Sequence, residues 1–151
     1  MPNLWTDDWE SGPEDDWSGG GGTSKRLAGG ERLGASLYEL PPGGFVVEHF
    51  HHGAEELLLV LRGRPTLRTP DGERTLEEGD VVHFPRGPAG RRKLTNESAE
   101  PVRFVMAGTR PSPEVVEYPE LGQVAAQSRH PSQTGDPLFV IHQLVQPDPS
   151  D

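Results

Sequence analysis

The sequence predicts an all-β protein, and three observations carry the prediction. Glycine and proline account for 19 and 16 of the 151 residues, so the chain turns often and leaves little room for long helices. No segment sustains helical periodicity over three turns, whereas short alternating or wholly apolar runs recur between turn signals. One stretch, Gly43 to Gly63, sets two histidines and a glutamate at spacings that extended chain can bring to a common face.

Taken in order, the chain opens on an acidic segment. Residues 1–22 contain Asp7, Asp8, Glu10, Glu14, Asp15 and Asp16 without Lys or Arg, which is −6 of the net −10. The same segment holds all three tryptophans, Trp5, Trp9 and Trp17. Acidity and the Gly19–Gly22 run fit a disordered leader. Three indoles in one short segment favour instead docking on the chain's own barrel or on a partner subunit. The charge balance makes nucleic acid a poor partner, because its phosphates are repelled. There is no cysteine, hence no disulfide, thiolate nucleophile or zinc–thiolate knot. No positive region precedes an apolar run, and nothing approaches the roughly 20 apolar residues of a membrane-spanning helix. A soluble cytoplasmic protein with no membrane partner is expected.

The strands follow. Ala35–Leu40 and Phe45–His51 flank the turn Pro41-Pro42-Gly43-Gly44. Leu57–Leu61 is an unbroken apolar run, with Glu56, Leu58 and Val60 assigned to the interior and Leu57, Leu59 and Leu61 to an outer row. A homodimer would bury that outer row. Residues 65–69, 74–76 and 81–84 read as further strands, the first two joined by the Asp71-Gly72 hairpin signal. Residues 91–95 and 101–107 close the barrel, and strand-like pieces at 115–118 and 138–145 are expected to lie across it or across a neighbouring copy.

At the centre, His49 and His51 share a strand face while Phe50 points away, and a turn through His52, Gly53 and Ala54 returns the chain as a hairpin that presents Glu56. Two imidazoles and a carboxylate suit a divalent first-row metal: iron, manganese, nickel or zinc. His52 and His83 fall on faces away from the interior. No serine sits in a nucleophile turn, and no Gly-Lys-Ser/Thr loop is present, which excludes two common catalytic designs.

Gly43, His49, His51, Glu56 and Gly63 match the first signature motif of the cupin superfamily, which the chain resembles over residues 33–108. The resemblance implies a jelly-roll β-barrel, residues 33–109, between an acidic N-terminal arm, 1–32, and a C-terminal arm with additional strands, 110–151. It also implies a metal on His49, His51 and Glu56. The second motif is partial. Gly79, Asp80, Pro85, Gly87 and Asn96 match, but counting back from Asn96 places Arg92 where a further histidine ligand belongs, and counting forward from Gly87 gives Gly90.

A guanidinium cannot ligate a metal, because its nitrogens stay protonated. Arg92 therefore has three physical options. It pairs with Glu56 and competes with metal, or it clamps a substrate carboxylate or phosphate beside a three-ligand metal, or Arg91, Arg92 and Lys93 form a solvated basic patch. The resulting expectation is a metal-binding barrel acting on a small anionic metabolite as an oxygenase or isomerase. The alternative is a non-catalytic small-molecule-binding or sensing barrel without metal. The reaction itself depends on the remaining walls of the site.

Overall fold

The computed structural model describes residues 1–12 and 18–145. Its strands are β1 (Ser18–Gly19), β2 (Thr23–Gly29), β3 (Leu33–Leu40), β4 (Phe45–His51), β5 (Glu56–Arg62), β6 (Thr66–Thr69) and β7 (Gly72–Thr75). They continue as β8 (Val81–Phe84), β9 (Arg92–Thr95), β10 (Val102–Thr109), β11 (Glu114–Tyr118), β12 (Gln123–Pro131) and β13 (Pro137–Gln143). Helical structure among the described residues is confined to the short turns Pro88–Gly90 and Pro119–Leu121.

The strands form two antiparallel sheets that face each other as a jelly roll. One is five-stranded, ordered β2-β3-β10-β5-β8; the other is eight-stranded, ordered β13-β12-β11-β4-β9-β6-β7 with β1 also paired to β4. Period-2 alternation decides what lies between them. On β5, Leu58 and Val60 are buried as assigned, and across the sheet they meet Met106 and Phe104 of β10. The core joins them to Leu40, Leu67, Leu76, Val82, Phe84, Leu94 and Val102, with Tyr38 stacked on Phe104 at 5.3 Å between ring centroids. Gly63 ends β5 at φ +84°, where a Cβ would come within 2.8 Å of the Pro101 carbonyl oxygen, so both conformation and space require glycine.

The outer face of the five-stranded sheet is divided. Residues 4–9 cross part of it: Arg103 donates to Leu4 O and to the Asp7 and Glu39 carboxylates, and Lys25 donates to Thr6 O and pairs with Asp8. The Lys25 hydrogen bond holds the Asp8 carboxyl down at about 2. Trp9 lies under both cations, at 5.7 Å from Lys25 Nζ and 5.1 Å from Arg103 Cζ, and Trp5 lies against Arg62 at 5.6 Å. Beneath this arm Leu37 is fully buried although it is on the outer face. Two of the three indoles are thus docked on the chain's own barrel; Trp17, with Glu14, Asp15 and Asp16, lies outside the described residues. The rest of the face is open, with Leu57 42%, Val81 60% and Leu33 64% exposed.

The arms are more structured than their composition indicates. Residues 1–32 include β2, an edge strand hydrogen-bonded to β3, so the five-stranded sheet begins ten residues before Leu33. Residues 110–145 supply β11, β12 and β13, which extend the other sheet beyond β4. β12 has no counterpart in the sequence reading, because Gln123–Pro131 lacks both a β-branched run and strict alternation.

Candidate metal centre

The predicted hairpin between the two halves of the His-His-Glu motif does not form. β4 pairs with β9 and β11 in the eight-stranded sheet, whereas β5 pairs with β10 and β8 in the five-stranded one. The connection through residues 52–55 crosses from sheet to sheet, and the motif spans the barrel interior. The physical reason lies in residues 57–61: their neighbours are the apolar strands β8 and β10, which cover the run better than the half-polar β4 would. The convergence survives the change of topology. One ligand atom from each of His49, His51 and Glu56 lies within 4.8 Å of the others.

Each side chain is held in a defined way. His49 Nδ1 is 2.8 Å from the Val47 carbonyl oxygen, which can only accept, so Nδ1 carries the proton and Nε2 keeps its electron pair. The His51 ring meets the His49 ring edge-on at 5.3 Å, with Nε2 3.6 Å from Glu56 Oε2. Burial, reinforced by the Arg92 charge, pushes His49 down to about 3 and His51 down to about 4. Both imidazoles are therefore neutral at neutral pH, the form that binds metal. Phe50 points the other way and is buried, His52 is exposed 3.7 Å from Glu117 Oε2, and His83 is exposed 3.5 Å from Glu55 Oε2.

Arg92 is no solvated patch. It is 4% exposed and stands directly across from His49 in the β4–β9 ladder, so it shares the inward face. Of the two counts, Arg92 occupies the missing histidine's place: a Cβ on Gly90 would lie 1.9 Å from the Pro85 carbonyl oxygen, and no side chain fits there. The guanidinium pairs with Glu56 Oε2, donates from Nη1 to Gly90 O at 3.2 Å, and covers the Phe84 ring at 4.6 Å. Its Nε is buried without a partner. Burial draws its pKa down to about 10, which leaves the charge in place at neutral pH. Arg91 is exposed, and Lys93 pairs with Glu120 at 2.7 Å.

His49, His51, Glu56 and Arg92 line a cavity of about 340 Å³ whose walls also include Leu58, Leu67, Phe84, Leu94, Phe104 and Met106. Tyr38 and Tyr118 also face it, and burial raises the pKa of both phenols, so they are protonated donors at neutral pH. The sequence reading missed both tyrosines. Tyr38 was accessible from its parity with Leu40; Tyr118 was not, because nothing local shows that β11 docks beside β4.

A two-sheet jelly roll with a His-His-Glu group between its sheets defines a class. A cupin-domain family model matches residues 36–108, and the chain belongs to the cupin superfamily. Among solved structures it is similar to a sugar phosphate isomerase of the cupin superfamily from Silicibacter pomeroyi, at 26% identity and a TM-score of 0.71, covering 81% of this chain and 76% of that one. It is 29% identical to the tetracenomycin polyketide synthase protein TcmJ of Streptomyces glaucescens over 109 residues, 69% of each chain. It is 40% identical to the auxin-binding protein ABP19b of Prunus persica over 62 residues, 36% of this chain, and so matches only 30% of that protein's length.

Proposed function

We propose that the barrel binds a divalent first-row metal through His49, His51 and Glu56 and acts on a small anionic metabolite, in a reaction of the isomerase or oxygenase type. The observation that carries the reading is the convergence of two neutral imidazoles and one carboxylate within 4.8 Å, in the wall of a cavity. The donor set fits such an ion: His49 already presents Nε2, and a nitrogen–oxygen set suits iron, manganese, nickel or zinc. When bound, the ion supplies Lewis-acid polarisation and open positions for water or a chelating substrate.

The chain's own residues supply the rest. Arg92 is the anion-recognising group, since its charge is fixed and its Nε has no partner. The tyrosine hydroxyls orient oxygen atoms of the substrate by donating to them, and the apolar walls exclude water. A sugar phosphate, named for the Silicibacter pomeroyi relative, is one such anion. The walls here favour an anion with an apolar body over one covered in hydroxyls, because few wall groups answer a hydroxyl.

One observation favours a second reading. The Arg92–Glu56 pair occupies a ligand carboxylate and sets a cation beside the metal position, as expected of a metal-free barrel that only binds a small molecule. Elemental analysis and calorimetric titration with manganese, iron(II), nickel and zinc separate the two. Stoichiometric binding that is lost in His49→Ala is expected; wild-type protein that takes up none of the four overturns the metal reading.

The open part of the outer sheet face, around Leu33, Leu57 and Val81, is where a second copy would pack. A homodimer that reverts to monomer in Leu57→Asp is the expected result in sedimentation. A monomeric wild type at all accessible concentrations removes the dimer.

A further inference from the structure

We propose that Glu114, on β11 and outside the residues matched by the cupin family, is the positioning residue that fixes the tautomer of His51 so that Nε2 keeps its electron pair for the metal. The purpose assigned to it rests on the metal reading above; the contact and its test do not. Among the described residues, three buried side-chain polar atoms have no hydrogen-bond partner, and two of them, His51 Nδ1 and Glu114 Oε2, face each other at 4.0 Å. Closing to hydrogen-bond distance takes a shift of roughly 1 Å. The two side chains then satisfy each other, which is the cheapest resolution for two orphaned groups in one buried place.

The geometry gives that contact a direction. Glu114 is 3% exposed, and its Oε1 accepts the backbone N–H groups of Gly53 at 2.8 Å and Val115 at 2.9 Å. With one oxygen pinned by two donors, the carboxyl group cannot rotate, and the other oxygen is aimed at His51 as an acceptor. An acceptor opposite Nδ1 places the imidazole proton there. The electron pair is left on Nε2, because Glu56 Oε2, 3.6 Å from that nitrogen, is already paired with the Arg92 guanidinium, whereas Glu114 Oε2 has no other partner. For His49 the Val47 carbonyl does the same at 2.8 Å. A backbone carbonyl for one imidazole and a carboxylate for the other are both recurrent outer partners of histidine ligands. The placement depends on β11, whose Val116 is paired with His51 across the β4–β11 ladder.

The substitution Glu114→Gln tests this without changing size. The glutamine oxygen must stay with the two backbone N–H groups, so its NH₂ faces His51 Nδ1 as a donor. Nδ1 then has to accept, and the proton moves to Nε2. In ¹⁵N-histidine NMR of metal-free protein, with signals assigned through His49→Gln and His51→Gln, wild-type His51 is expected as the Nδ1–H tautomer. It is expected to switch to Nε2–H in Glu114→Gln while His49 stays Nδ1–H. Zinc affinity of the variant should fall about ten- to a hundredfold. A wild-type His51 in the Nε2–H form overturns the inference whether or not the variant folds, and so does a folded variant whose His51 tautomer is unchanged. If the tautomer switches but wild-type protein binds no metal, the positioning contact stands and the metal reading falls.

Discussion

Replacing Arg92 by histidine is expected to tighten divalent-metal binding by at least about tenfold and to weaken anion binding about ten- to a hundredfold. The position makes the substitution direct. Arg92 stands across the ladder from His49 on the inward face, so an imidazole there points at the same space as the other two. The change adds a ligand and removes a cation at once, and both favour the metal. It also deletes the fixed charge that would hold a carboxylate or phosphate, which costs roughly 1.5–3 kcal/mol of anion affinity. Calorimetric titration of zinc and, separately, of inorganic phosphate and small carboxylates into both proteins reads the two effects. Because they have opposite signs, general loosening of the fold cannot imitate them. Tighter metal binding with unchanged anion affinity would show that Arg92 serves only to hold Glu56, and its role in ligand recognition would be withdrawn.

Glu56→Gln in the metal-free protein is expected to lower stability by about 3 kcal/mol, near the bottom of the range for breaking a buried ion pair. The low end applies because Glu56 is 21% exposed, so water already screens its carboxylate, whereas Arg92 is only 4% exposed. What remains for the guanidinium is the Gly90 carbonyl and the Phe84 ring, which do not neutralise it. The double variant Glu56→Gln, Arg92→Met should recover most of the loss, since no unpaired charge is left buried. Urea denaturation of the three proteins measures this. A loss below about 1 kcal/mol in Glu56→Gln would place the pair among weak, solvent-screened contacts.

The site was legible in the sequence to the extent that it is local. His49 and His51 share a face because strands alternate, and that holds whichever strands become neighbours. The inward assignment of Leu58 and Val60 held for the same reason. What failed was pairing: the turn at residues 52–54 reads as a hairpin, yet the chain uses it to change sheets, and pairing is decided by distant strands rather than by the turn. Arg92 illustrates the middle case. Its departure from the motif was visible, but whether it faced solvent or the cavity depended on the β4–β9 ladder and on a steric conflict between Gly90 and Pro85. Glu114 lay beyond reach altogether, since a lone glutamate before a short strand carries no signal of burial.

The docked arm has a spectroscopic consequence. Two of the chain's three tryptophans, Trp5 and Trp9, lie in the docked arm among the described residues. Trp9 sits against Lys25 and Arg103, cations that shift indole emission, while Trp5 is more than half exposed beside Arg62. The emission of Trp5 and Trp9 therefore follows the attachment of the arm, whereas the ligand cavity is lined by Tyr38 and Tyr118, the chain's only tyrosines. Trp5 and Trp9 thus watch the outer face of one sheet, and the tyrosine signal watches the space between the sheets.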